Sequence, residues 1–307
     1  MQPDDAAAAQ TGEPGWQAGG QAAAAQAASP RASGDRVSGS VLTYYYTDPA
    51  CPWSWALEPT FRRLSHELDD TLEMRYVMCG MAREFTDRIG PIADALEASE
   101  ASDMPVDARL WVEGSPRSSH PACIAVKAAA EQGDPAPYLR RLREGFMCRR
   151  RKLDTAEGLT EEARRISGLD LERFRVDLGS HAILEAFGAD LDRAAAVAAE
   201  HHSPGTGRVK LPSLEFVGEG GAVRGVYGYA EYAQLRDAAL AAGARPVNED
   251  VPSVEEALRR FGSMATAEVA AACQLPGPRA PAELWRLAAE WRVEPERVGS
   301  GELWSLA

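Results

Sequence analysis

The spacing of apolar positions changes several times along the chain, and each change marks an element. Val41-Leu-Thr-Tyr-Tyr-Tyr46 is β-branched and aromatic and is stopped by Thr47-Asp48-Pro49, which predicts a short buried strand. Trp53, Leu57, Phe61, Leu64 and Leu68 then recur at helical spacing, with Pro59 expected to kink the helix near its first turns. Leu72, Met74, Tyr76 and Met78 alternate and lead into Cys79-Gly80, the pattern of a second strand. Strand, helix and strand in so short a span predict a βαβ unit with parallel strands.

Helical periodicity dominates the next hundred or so residues. The predicted helices are Pro121 to Gln132, Ala136 to Met147, Thr155 to Ser167, Asp170 to Gly179 and His181 to Glu200, with Asp154 and Asp170 as N-caps. Strand character returns in Ser213-Leu-Glu-Phe-Val217, turns at Gly218-Glu-Gly-Gly221 and continues through Ala222 to Tyr227, a hairpin followed by a helix from Tyr229 to Ala242. After a linker at 243–250, Val254, Leu258 and Phe261 mark one helix, Thr266 to Cys273 a second and Pro281 to Trp291 a third. A hairpin over Val293 to Leu306 follows, completing the outline of a winged helix. The expected organisation is a leader over 1–40, an α/β domain over 41–242 with an all-helical insertion at about 81–205, and a small winged-helix-like module over 251–307.

Composition narrows the function classes. Residues 1–40 are Ala, Gln, Gly and Ser with few large apolar groups, so they are expected to stay disordered. The remainder is rich enough in apolar and aromatic residues to fill a core. The formal net charge of −13 argues against a phosphate backbone as the main partner. The third helix of the C-terminal module sets Glu283 and Glu290 against Arg286, the wrong charge for DNA, which favours a packing or protein-contact role. Asp4 and Asp5 stand where a secretory signal would be basic, and no run reaches the roughly 20 apolar residues of a membrane span, so a cytoplasmic protein is expected.

Cys51, Cys79, Cys123, Cys148 and Cys273 lack the paired spacing of a zinc site or a disulfide framework. One of them is placed for chemistry. In Asp48-Pro-Ala-Cys51-Pro-Trp-Ser54-Trp, between the first strand and first helix, Cys51 stands at a helix start, where free N–H groups and the helix dipole favour a thiolate. Pro52 suits the first helical position, and the Ser54 hydroxyl, one turn on, is placed to donate to the sulfur. Cys123, Cys148 and Cys273 read as core residues. His201 and His202 are adjacent and point apart on a helix, which disfavours a shared metal. His120 is a weaker candidate for approach to Cys51, and Arg149-Arg-Arg-Lys152 a weaker candidate for holding an anionic thiol. No phosphate-binding loop follows a strand, so neither metal nor nucleotide is expected.

The segment Tyr46 to Pro59, with Cys51-Pro-Trp-Ser54 at its centre, resembles the active-site region of the DsbA-like family of thioredoxin-fold proteins, the branch that includes the FrnE-type oxidoreductases. Ser119 to Ala129, Tyr138 to Glu144 and Leu153-Asp-Thr155 resemble that family's helical insert, and Val209-Lys-Leu-Pro212-Ser resembles its cis-proline loop. The resemblance spans about 41–242. It implies a thioredoxin-like fold, a cis Leu211–Pro212 peptide at the substrate edge facing Cys51, and thiol–disulfide exchange, with Pro52, Trp53, Trp55 and Leu211 lining the substrate side. Dithiol members of the family carry Cys where this chain has Ser54, so the implied chemistry is monothiol exchange or isomerisation, with a low-molecular-weight thiol as the only small partner. Cys79 is a candidate resolving thiol, because it leaves the second strand on the sheet edge where Cys51 leaves the first. The alternative is a non-enzymatic binding protein of the protease-adaptor type, as the similarity to the Spx adaptor group implies. Glutathione transferase kappa-like and 2-hydroxychromene-2-carboxylate isomerase-like activities rank lower, since those proteins generally have Ser at the position of Cys51.

Overall fold

The computed structural model describes residues 40–307; the leader expected over 1–40 lies almost entirely outside them. Strand β1 (Val41–Thr47) buries Tyr45 and Tyr46 on opposite faces of a four-stranded sheet. It runs parallel to β2 (Leu72–Met78), with Val41 opposite Leu72 and Thr47 opposite Met78. Between them the helix breaks at Leu57 into α1 (Pro52–Ala56) and α2 (Glu58–Leu68). Pro59 has no N–H to return to the preceding turn, so the break falls where the sequence places the kink. The hairpin of β3 (Ser213–Val217) and β4 (Val223–Tyr227) completes the order β2-β1-β3-β4, with β3 antiparallel to β1 and Ser213 opposite Tyr46.

The insert is helical. Its elements are α3 (Ile89–Ser102), α4 (Leu110–Glu113), α5 (His120–Ala130), α6 (Ala136–Met147), α7 (Ala156–Ala163), α8 (Leu171–Leu178) and α9 (His181–Ala196). The cap of α7 differs from expectation. Thr155, not Asp154, takes the N-cap position and accepts from the Gly158 N–H; Asp154 instead accepts from the Arg117 N–H across the insert. Asp170 caps α8 as expected, accepting from Glu172 and Arg173. Helix α10 (Tyr232–Ala241) packs on the sheet beside α2, and Tyr45, Leu64, Leu214, Phe216 and Leu235 fill that layer.

The last segment contains α11 (Val254–Phe261), β5 (Met264–Ala265), α12 (Thr266–Ala272), α13 (Arg279–Ala289), β6 (Val293–Val298) and β7 (Gly301–Leu306). Its sheet has the order β5-β7-β6, entirely antiparallel. Leu258, Val269, Leu284, Leu287 and Trp304 form a core of its own. Ala265, Val298 and Leu303, however, belong to the core of the helical insert, together with Trp55, Leu142 and Phe146. The segment is therefore packed against the remainder of the chain along a shared apolar seam.

Candidate functional site

The motif lies where β1 ends. Thr47 is the last residue of the strand, the Asp48 carbonyl accepts from the Cys51 N–H at 3.2 Å, and the Cys51 carbonyl accepts from the Trp55 N–H at 3.2 Å, the bond that starts α1. Cys51 is the N-cap residue of that helix and Pro52 its first residue. The β1–β3 register brings the Leu211–Pro212 peptide, which is cis, to the same end of the sheet.

The thiol is not activated as the sequence suggests. Cys51 is 3% exposed, and burial pushes its pKa up, because a thiolate loses solvation that the site only partly replaces. The groups that favour the thiolate are the Ser54 hydroxyl and the N–H groups of Ser54 and Trp53, while the Asp48 carboxylate opposes it. The Ser54 oxygen is enclosed and finds no partner of hydrogen-bond geometry with the thiol as it stands.

The other expected contacts divide by burial. Pro52 and Trp55 are enclosed, so neither lines an accessible substrate surface. Trp55 is an anchor: its indole N–H donates to the Pro105 carbonyl at 2.9 Å, and the Arg140 guanidinium lies 4.4 Å from its ring. Trp53 and Leu211 are half-buried and reach the surface, Trp53 against the Tyr229 ring at 5.5 Å. Cys79 leaves β2 on the expected edge, its N–H donating to the Thr47 carbonyl at 2.9 Å. Its thiol turns back to the Val77 carbonyl at 3.4 Å among Tyr46, Ala194 and Val209, and burial pushes its pKa well up.

Two buried carboxylates beside the motif are not singled out by sequence. Asp48, fully enclosed, accepts from Ala50 N–H, Met81 N–H, the Ser119 hydroxyl and the Cys123 thiol, the last at 3.2 Å. It thus pins the motif loop to the insert. Glu58, the residue after the helix break, is ion-paired with Arg62, Arg140 and Arg143. Burial alone would raise its pKa, but the charges of Arg62, Arg143 and Arg140 overcome this and hold it down at about 2. Arg143 continues to the Thr47 and Tyr45 hydroxyls at the end of β1. The signal in the sequence was the cluster of arginines in Tyr138 to Glu144, which reads equally well as a solvated helix face.

His120 packs against the loop after β2: its Nε2 would lie 2.8 Å from a Cβ at Gly80, whose φ of +55° suits glycine. Burial lowers the His120 pKa, with Asp48 opposing. The three arginines of the basic run after α6 are taken up in ion pairs, Arg149 with Glu144 and Glu296, Arg150 with Glu113, and Arg151 with Glu162. His202 bonds the Val197 carbonyl and His201 stacks on Tyr227. Among the described residues no group of three or more His, Cys, Asp or Glu side chains is arranged to hold a metal ion.

A four-stranded sheet with a cysteine-capped helix after its first strand, a cis-proline opposite and an inserted helical layer defines a thioredoxin-fold protein of the DsbA-like kind. The thioredoxin family model matches residues 44–233, and the chain belongs to that family. Among solved structures it is similar to a putative protein disulfide isomerase from Nitrosomonas europaea (TM-score 0.56, 18% identity, 65% of this chain and 95% of that one). It is also similar to a probable DsbA oxidoreductase from Streptomyces coelicolor (TM-score 0.51, 18% identity, 69% and 92%). Those likenesses speak to the fold. In sequence it is 27% identical to the ClpXP adapter protein SpxH of Halalkalibacterium halodurans and to that of Bacillus subtilis, in each case over 85% of this chain and 87% of the other. A match of that extent runs well beyond residues 44–233. Among the described residues no helix is long and apolar enough to cross a membrane.

Proposed function

We propose that this chain is a protein-binding adapter built on a DsbA-like scaffold, presenting a partner to a ClpXP-type protease. The observation that carries the reading is the state of Cys51: enclosed, with its thiol pKa pushed up and Ser54 where a dithiol enzyme has its second sulfur. Such a thiol is a poor nucleophile at neutral pH and has no neighbour to release a mixed disulfide. The resemblance to proteins named as ClpXP adapters extends past the thioredoxin segment, which supports a role for the C-terminal segment in the same function.

A second reading is favoured by the Ser54 hydroxyl and the N–H groups at the start of α1, which are the right donors for a thiolate. In it, the Cys51 thiolate attacks a substrate disulfide, forms a mixed disulfide and releases the other sulfur as a thiol. A low-molecular-weight thiolate then attacks the substrate sulfur of the mixed disulfide, so that Cys51 leaves as its thiolate and substrate and small thiol are left joined in a new disulfide. Trp53, Leu211 and Pro212 would form the substrate edge, and Cys79 would resolve the intermediate only after its segment moved.

The two readings separate in one experiment. Wild type and Cys51→Ala are used to capture partners with and without reductant, and each partner is then incubated with purified ClpXP. Partners retained by both forms, and degraded faster when the chain is present, support the adapter. Partners held by wild type alone, through a bond that reductant breaks, overturn it in favour of exchange.

A further inference from the structure

The C-terminal segment reaches Trp55 from two sides through intermediaries in the insert, Arg140 and the Pro105–Val106 peptide. On the ring face, Arg140 stacks at 4.4 Å and uses all five of its N–H donors. Nε donates to Glu144 at 2.8 Å, Nη1 to Glu58 at 3.3 Å and Glu268 at 2.7 Å, and Nη2 to Glu268 at 2.7 Å and the Ser263 carbonyl at 3.0 Å. Three of those five acceptors lie beyond residue 250. Glu268, at the start of α12, is 0% exposed; its carboxylate also accepts from Arg62 at 3.1 Å and from the Ala265 N–H at 2.7 Å.

On the ring edge, one peptide unit does the relaying. The Pro105–Val106 peptide accepts the Trp55 indole N–H through its oxygen at 2.9 Å and donates its own N–H to the Ser300 hydroxyl at 3.0 Å. Ser300 sits in the turn between β6 and β7. Its neighbour Gly299 has no room for a side chain, since a Cβ there would lie 2.5 Å from the Val106 oxygen. The backbone N–H of Trp55 in turn donates to the Cys51 carbonyl. An unbroken set of contacts therefore runs from both Glu268 and Ser300 to the residue that carries the thiol.

We propose that the C-terminal segment is a clamp on Trp55, and that Glu268 and Ser300 are positioning residues that keep Cys51 enclosed. Docking of the segment and exposure of the thiol are then linked, so whatever loosens one loosens the other. The functional meaning rests on the exchange reading above, in which Cys51 reacts; the geometry does not.

The test reads the thiol directly. Alkylation of Cys51 by iodoacetamide is followed by mass spectrometry of its peptide across pH, so that the outcome does not depend on any disulfide substrate or partner being found. The charged group that bears on Cys51 from the motif loop is Asp48, which all variants retain. Loosening the clamp hydrates the sulfur, so Ser300→Ala is expected to speed alkylation at pH 8 about threefold and Glu268→Gln about tenfold, with the profile moved to lower pH. Ser300→Thr, which keeps the hydroxyl, should restore the wild-type rate. Leu284→Ala, a cavity in the segment's own core, should lower urea stability without moving the profile. Wild-type profiles in Ser300→Ala and Glu268→Gln overturn the proposal, as does an equal shift in Leu284→Ala. Ser300 lies in an exposed turn, so if Glu268→Gln fails to fold, the Ser300 pair decides alone.

Discussion

Ser54 occupies the place where a dithiol enzyme has its second sulfur, and its hydroxyl is the strongest of the groups that lower the Cys51 pKa. It is enclosed and otherwise unpartnered, so ionisation of the thiol would give it its first strong acceptor. Replacing it should remove that gain without opening the site. Ser54→Ala is expected to raise the Cys51 pKa further and slow alkylation at pH 8 roughly tenfold. The rate-versus-pH profile of the Cys51 peptide checks this, and an unchanged midpoint would show that the hydroxyl plays no part. Much of this residue-scale picture is legible in the sequence, because Asp48 to Trp55 is contiguous and the helix start is written in Cys51-Pro52. Burial is not legible there. It comes from elements brought in from elsewhere, and it reverses the expected direction of the Cys51 shift.

Helices α2 and α6 meet through charge. Glu58 on the first and Arg140 and Arg143 on the second are enclosed, so their pairing replaces water that folding has stripped away. Breaking such a pair costs more than forming it gains, because the partner is left charged and dry. Glu58→Gln is expected to lower the unfolding free energy by about 3 kcal/mol at pH 7, measured by urea denaturation. The pH dependence has a definite sign. The folded pKa of Glu58 is held at about 2, below its ordinary value, so its contribution is present above about pH 4.5 and is lost as pH falls toward 2. The gap between wild type and variant should close over that interval, and a gap that persists at pH 2 would mean the charge is not its source. The period of the sequence could announce β1, β2, the β3–β4 hairpin and most of the insert, since each has an apolar face of ordinary size. It could not announce α3, whose buried face is only Ala95 and Ala98, nor the Glu58 cluster. Arg140 finds Glu58 at a separation of 82 residues and Glu268 at 128, distances over which a single sequence carries no pairing signal.

At the scale of the whole molecule, the C-terminal segment, expected from sequence to be winged-helix-like, has its parts engaged within the chain. The turn between β6 and β7 is docked on Val106, Glu268 is sunk among arginines, and Arg286 on α13 is occupied by Glu283 and Glu290. The apolar seam shared with the insert and the five-bonded Arg140 make this segment part of the structure that supports the motif. Unfolding should therefore be cooperative across the boundary near residue 250. Far-ultraviolet circular dichroism and tryptophan fluorescence should report one coincident urea transition for the full chain. A chain ending at residue 250 should unfold at lower urea, because Arg140 would lose three acceptors and α2 the cover of α12. It should also expose enough apolar surface to bind a hydrophobic dye. Two separate transitions, or a shortened chain as stable as the full one, would instead make the segment an independent appendage and leave Trp55 held by Arg140 and the Pro105 loop without its help.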